Sequence, residues 1–171
     1  RGEKENCLSR LSLFHAAEIL QAAEGLSETE ANARASEAVF SGRALKKFEE
    51  MVAAQGGRGA DVYGTLPMAK NMKKITAKAE GFLQVSALAL GKACAALGGG
   101  RTKEGDAIDH TAGILLQKRQ GSFVKRGEVL AEIYFNASSE EGCALAESAF
   151  TLSDQKIEAR PLVYAFIGGK E

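Results

Sequence analysis

Between residues 98 and 114 the chain reads Gly98-Gly99-Gly100-Arg101-Thr102-Lys103-Glu104-Gly105-Asp106-Ala107-Ile108-Asp109-His110-Thr111-Ala112-Gly113-Ile114, and no other stretch limits the possible folds so strongly. An Ala- and Leu-rich helical pattern runs into it and an apolar strand pattern leaves it, so a helix must stop and a sheet must start around it. Three consecutive glycines end the helix, and at least one is expected in the left-handed conformation that other side chains disfavour. A Val at Gly99 or Gly100 would then be strained by about 1–2 kcal/mol. The acids and bases that follow suit a loop better than a continued helix.

The segments on either side differ in texture. Residues 7–23 carry Leu8, Leu11, Leu13, Phe14, Ala17, Ile19 and Leu20, a helix with apolar residues on more than one side, which Gly25 ends. Ser27-Glu28-Thr29-Glu30 has the form of a capping box and opens a second helix that runs to about Ser41. A third, over 43–55, places Leu45, Phe48, Met51 and Val52 at helical spacing and stops at Gly56-Gly57. Residues 1–57 thus read as helical hairpins, and 58–66, with Tyr63 and Gly64 ahead of Pro67, as a linker. From 67 to 171 the pattern is mixed. Two short strands over 74–85 break at Glu80-Gly81, Ser86 caps a helix over 87–97, and a strand covers 113–118. Further β structure at 121–135 turns at Gly121 and Gly127, a last helix spans 138–152, and an extended segment over 159–167 opens at Arg160-Pro161. The fold class expected is α+β.

Composition removes several functions. Lys+Arg and Asp+Glu are matched at 22 each, which leaves no broad field for a polyanion. Cys7, Cys94 and Cys143 are widely spaced and odd in number, the usage of reduced thiols in a cytoplasmic protein rather than of a disulfide framework or a metal knuckle. No apolar run approaches the ~20 residues of a membrane span, and the opening residues lack a signal peptide's apolar core. The chain starts at Arg1 without a Met, as a piece of a longer protein would. A soluble, cytoplasmic chain without membrane or nucleic-acid partners is expected.

Few residues invite chemistry. His15 lies within an apolar helical run, where an imidazole is ordinarily packed or surface-facing. His110 follows Asp106 and Asp109, a grouping that could tune a proton-transfer histidine or supply metal ligands. Acids in glycine-rich loops more commonly cap local amides, and neither a second histidine nor a cysteine pair lies nearby to complete a metal site. Glycines with a following Thr102 and Lys103 suggest a phosphate cradle, but such cradles precede a helix and use its positive end, whereas these follow one. Lys70, Lys73, Lys74 and Lys78 lack interleaved aromatics and read as a solvated face. The run Gly121…Val124…Gly127-Glu128…Leu130-Ala131 is similar to half of a barrel-sandwich unit of the biotinyl and lipoyl carrier type, without the carriers' lysine hairpin.

One family does match over a long span. The residues Leu97-Gly98-Gly99-Gly100-Arg101…Asp106-Ala107-Ile108-Asp109…Gly113-Ile114…Lys118…Gly121…Val124…Gly127-Glu128…Leu130-Ala131…Ile133 resemble the C-terminal domain of the pyrimidine-nucleoside and thymidine phosphorylases. Ser41-Gly42-Arg43-Ala44-Leu45…Gln55-Gly56-Gly57 resembles the family's approach to that domain, and Arg160-Pro161-Leu162-Val163-Tyr164 its end. Departures are Arg58, where the family often has an acid, and Tyr134-Phe135-Asn136, where a His-Ser-Asn-like triplet is common. The resemblance implies a hammerhead-like, barrel-sandwich α+β domain over 67–171, with the helices before it belonging to the end of the large substrate-binding domain. It implies membership of a homodimeric, cytoplasmic pentosyltransferase of nucleoside salvage. That enzyme cleaves a pyrimidine nucleoside with phosphate, its co-substrate, to give the free base and a pentose 1-phosphate. The family's phosphate-binding Lys-His-Ser-Thr-Gly-Gly stretch and its pyrimidine-holding Arg, Ser and Lys do not occur here. No catalytic, cofactor-binding or metal-binding residue is therefore assigned, and the chain alone is expected to be inactive without the family's N-terminal part. In that setting the glycine-acid loop is structural: glycines reverse the chain, Asp106 and Asp109 cap amides, and Arg101 forms an ion pair. The contrasting expectation is a free-standing binding or adaptor module on the same unit.

Overall fold

A computed structural model describes residues 6–58, 66–101, 103–137, 139–158, 161–165 and 167. It is of the α+β class, with helices and two small antiparallel sheets, and divides into two compact units: residues 1–66 with 161–171, and residues 67–160.

The first unit contains α1 (Cys7–Glu24), α2 (Glu28–Phe40) and α3 (Arg43–Ala54). Asn6 starts α1, its side-chain oxygen accepting from the Leu8 and Ser9 amides while its own amide donates to the Ser9 hydroxyl. Gly25 ends the helix at φ 67°, as the glycine's position predicts. The capping box at Ser27 and Glu30 closes in both directions, holding the Glu30 carboxyl below its ordinary range through the Ser27 hydroxyl and amide. What the unit buries is small: Ala17 on α1 with Ala31 and Ala35 on α2, a composition that lets two helices approach closely. The sequence pattern of α1 predicts burial on more than one side; only Ala17 is buried, and Leu8 and Ile19 stand 73% and 66% exposed. Helix α3 carries its apolar residues on one face and has no buried residue among those described.

The second unit has a shared core. Strands β1 (Asn71–Thr76), β3 (Gly113–Leu116) and β5 (Val129–Phe135) form one sheet in the order β1-β5-β3; β2 (Gly81–Val85), β4 (Phe123–Val124) and β6 (Phe150–Ser153) form the other in the order β4-β2-β6. Helices α4 (Ala87–Cys94) and α5 (Glu140–Ser148) complete it. Ile75, Ala77, Leu83, Ala93, Leu97, Val124, Leu130, Ala131, Ile133 and Ala146 make one apolar cluster drawn from both sheets and both helices. Leu83, Ile133 and Val124 are wholly enclosed, each contributing about 1.5–3 kcal/mol through burial. No strand ladder among the described residues closes the two sheets into a barrel.

Several local expectations hold and several shift. Ser86 caps α4 by accepting from the Ala89 amide, and both glycine turns form, with Gly121 at φ 81° and Gly127 at φ 84°. The two strands expected over 74–85 exist but pair in different sheets. Gly81 permits this: at φ 154°, a Cβ there would lie 3.0 Å from the Ser153 carbonyl oxygen, on the partner strand β6. The helix expected over 138–152 ends at Ser148, and Phe150–Ser153 pairs with β2 instead. An apolar alternation that fits either period is decided here by the free edge of β2. Strand β3 ends at Leu116, two residues early, and 161–165 join no strand. Tyr63, Gly64 and Ala159-Arg160 lie outside the described residues.

Candidate functional site

The loop after α4 is where sequence and geometry concentrate polar groups. The helix does not stop at Cys94 but widens into a π-helical turn, Ala95–Gly99, in which Gly98 sits at φ 97°. Of the three glycines, Gly98 is the left-handed one; Gly100 is extended at φ −154°. The conformational expectation at Gly99 or Gly100 is thus corrected, because those two are constrained by space. A Cβ on Gly99 would lie 2.9 Å from the Cys94 sulfur and 3.0 Å from the Ala112 carbonyl oxygen. One on Gly100 would lie 3.3 Å from the Ala95 Cα.

The chain then folds back on the helix end. The Asp109 amide donates to the Gly98 carbonyl at 2.8 Å, satisfying one of the acceptors that a helix terminus leaves open. Both oxygens of the Asp109 carboxylate accept hydrogen bonds: one from the Thr111 amide at 2.9 Å and hydroxyl at 2.7 Å, the other from the Asn136 side-chain nitrogen at 2.7 Å. These donors, the Thr111 hydroxyl foremost, hold its carboxyl below the usual range. Asn136 also donates to the Thr111 hydroxyl at 2.8 Å, and its side-chain oxygen accepts from the Lys70 amide at 2.8 Å. It therefore ties the loop to the end of β5 and to the approach of β1. Asp106 caps the Lys103 amide at 2.8 Å. Amide capping by both acids thus matches the structural reading, while among the described residues Arg101 forms no salt bridge.

This arrangement does not suit proton transfer or phosphate binding. An acid that already accepts three hydrogen bonds and is easily ionised is a poor base, and the Asp109 carboxylate is bonded to Thr111 and Asn136 rather than to His110, which is exposed. The cleft beside the π turn, about 510 Å³, is lined by Ala95, Ala96, Gly98, Gly100, Asp106, Ala107 and Glu141, and its two carboxylates repel an anion. His15 is exposed and stacks edge-on with Phe14, ring centroids 5.6 Å apart. Among the described residues no three His, Cys, Asp or Glu side chains are grouped to hold a metal. Cys7, Cys94 and Cys143 are thiols of intermediate burial.

A second polar centre joins β1 to α5. Lys73 Nζ lies 2.7 Å from Glu147, which lowers the carboxyl's proton affinity and raises that of the amine. Both side chains are over a third exposed, so the pair contributes about 0–1 kcal/mol. The Ser139 hydroxyl bridges the two helices' ends, donating to the Ala96 carbonyl and accepting from the Gly142 amide, both at 3.0 Å. Gly142 is required there because a Cβ would sit 2.9 Å from Leu97 Cγ.

Asn136, named in the sequence only within the Tyr134-Phe135-Asn136 triplet, is the residue whose role pattern reading missed, since a lone Asn after a strand carries no periodic signal. Two antiparallel sheets and paired helices around a glycine-acid loop define a small α+β domain. Residues 83–153 match the family model described as pyrimidine nucleoside phosphorylase C-terminal domain. It is 37% identical over 125 residues to thymidine phosphorylase of Mycobacterium tuberculosis, covering 71% of this chain and 29% of that one. It is 35% identical over 140 residues to pyrimidine-nucleoside phosphorylase of Geobacillus stearothermophilus, covering 80% and 32%. With the enzyme of that name from Bacillus subtilis it shares 36% identity over 110 residues, covering 63% and 25%. The chain thus spans about a third or less of the length of these relatives. Among the described residues no helix is long and apolar enough to cross a membrane.

Proposed function

We propose that this chain is the C-terminal portion of a pyrimidine-nucleoside phosphorylase and serves it as scaffold. The parent reaction breaks the bond between the sugar's anomeric carbon and the base nitrogen of a thymidine- or uridine-type nucleoside. A phosphate oxygen takes the base's place, giving pentose 1-phosphate, and a proton goes to the departing base. The observation that carries the reading is the domain match over residues 83–153. The committed state of the loop acids supports the scaffolding role, since Asp109 and Asp106 hold backbone in place. The reacting groups, the phosphate clamp and the base-holding side chains belong, on this reading, to an N-terminal part. The working enzyme is taken to be a cytoplasmic homodimer, as the resemblance implies.

The test is base release from thymidine and uridine in the presence of phosphate. The 171-residue chain should give none, and joining it to the N-terminal part of such an enzyme should restore phosphate-dependent release of base. A joined protein that folds, binds phosphate and yet releases no base would refute the proposal.

A further inference from the structure

A cleft of about 400 Å³ opens in the second unit along β1 and β6. Its lining includes the apolar Ile75, Ala77 and Leu130, each 5% exposed or less, with Phe150 and Leu152 alongside. Among the described residues each wall is the outermost strand of its sheet, β1 of one and β6 of the other. Residues that line these walls are consecutive, 74–76 of β1 with the two residues that follow it, and 150–152 of β6. A strand shows alternate residues on a face and consecutive ones at an edge, so both walls present backbone edges. Unpaired edges of this kind are templates for a further strand.

The charges at this cleft favour one kind of occupant. Lys74 and Lys78 line it and make no salt bridge among the described residues; Glu147, the acid of the lining, is bonded to Lys73 and lies within the field of Lys78, which still leaves the lysines in excess. We propose that the cleft docks an extended acidic segment of another polypeptide, which adds as a strand to the free edge of β1. Backbone pairing with the edge provides affinity, and side-chain alternation provides selectivity. Residues of the added strand beside Ile75 and Ala77 turn apolar side chains onto the floor; those beside Lys74 and Lys78 place carboxylates next to the amines. The sequence that fits alternates acid and apolar residue. Lysines on a sheet edge also serve as guards against pairing, and that role would leave the cleft empty of any strand.

The probe is the blocked pentapeptide Glu-Val-Glu-Val-Glu, titrated into the isotope-labelled chain, with amide shifts and amide exchange followed by NMR. Saturable binding is expected, with shifts and slowed exchange confined to residues near 72–78 and 150–152. The double variant Lys74→Glu/Lys78→Glu should bind at least about tenfold more weakly. The same variant should gain affinity for Lys-Val-Lys-Val-Lys, a reversal that an unfolded or merely damaged variant cannot show. Equal binding of the two peptides by the natural chain, no saturation up to about 10 mM, or shifts away from the cleft would overturn the proposal. So would free glutamate that moves the same amides at the same concentration, since that marks a small-anion site.

Discussion

Replacing each glycine of the Gly98-Gly99-Gly100 turn in sequence separates two physical constraints that look identical in the sequence. At Gly98 space is available, the nearest atom to an added Cβ being the Asp109 Cβ at 3.5 Å, but the backbone is at φ 97°. Gly98→Ala should therefore cost about 1–2 kcal/mol of conformational strain. Gly99 lacks that strain and is instead walled in: an added methyl would meet the Ala112 carbonyl oxygen at 3.0 Å and the Cys94 sulfur at 2.9 Å. The sulfur can rotate away; the carbonyl oxygen belongs to the loop leading into β3 and must shift with it. Gly99→Ala should cost about 1–3 kcal/mol, the usual range for overpacking. In a unit of under a hundred residues each kcal/mol lowers the melting midpoint by roughly 4–8 °C, well within reach of calorimetry. Asn tolerates positive φ better than Ala, so Gly98→Asn should recover part of the loss, whereas Gly99→Asn should be worse than Gly99→Ala. Equal midpoints for Gly98→Asn and Gly98→Ala, or a neutral Gly99→Ala, would refute the assignment of strain to one residue and crowding to the next.

Two further outcomes follow from the hydrogen bonds. Ser27→Ala removes one half of the capping box on α2 and should destabilise the helical unit by about 1 kcal/mol, read from its helical circular dichroism on heating. Asp109→Asn should lower stability at neutral pH, because its new amide would face the Asn136 amide that donates to the present carboxylate. Asp109 titrates below its ordinary value in the folded chain, so its contribution is present above the unfolded carboxylate range and fades as pH falls through the folded value. The difference between Asp109→Asn and the natural chain in urea titrations should accordingly shrink below about pH 4.

Local chemistry was legible wherever one short segment decides the outcome. Ser27 and Glu30, Ser86, Gly25, Gly121 and Gly127 act through neighbours within a few residues, and their caps and turns follow from residue type alone. Long-range pairing was not. Phe150–Ser153 continues an apolar pattern begun in α5, and only the unoccupied edge of β2 makes it a strand. The same holds for the adjacent strands β1 and β2, whose separation into two sheets rests on the approach of Gly81 to Ser153, 72 positions further along the chain. In α1 the apolar residues foretold more burial than the described unit provides, because periodicity reports which face is apolar and not what lies against it. The loop was read correctly as a helix exit with capping acids, but the partner that holds it, Asn136, sits on the far side of β3 and β5 in the chain and leaves no local trace.

The central claim is that this segment supports phosphorolysis without touching the reacting atoms. The most direct measurement is kcat for phosphate-dependent base release by the longer protein, with and without His110→Ala, the one imidazole in the glycine-acid loop. An exposed, non-catalytic residue predicts a kcat within about twofold of the natural protein, with an unchanged pH profile. A fall of about a hundredfold or more, the contribution of a general acid or base, would contradict it.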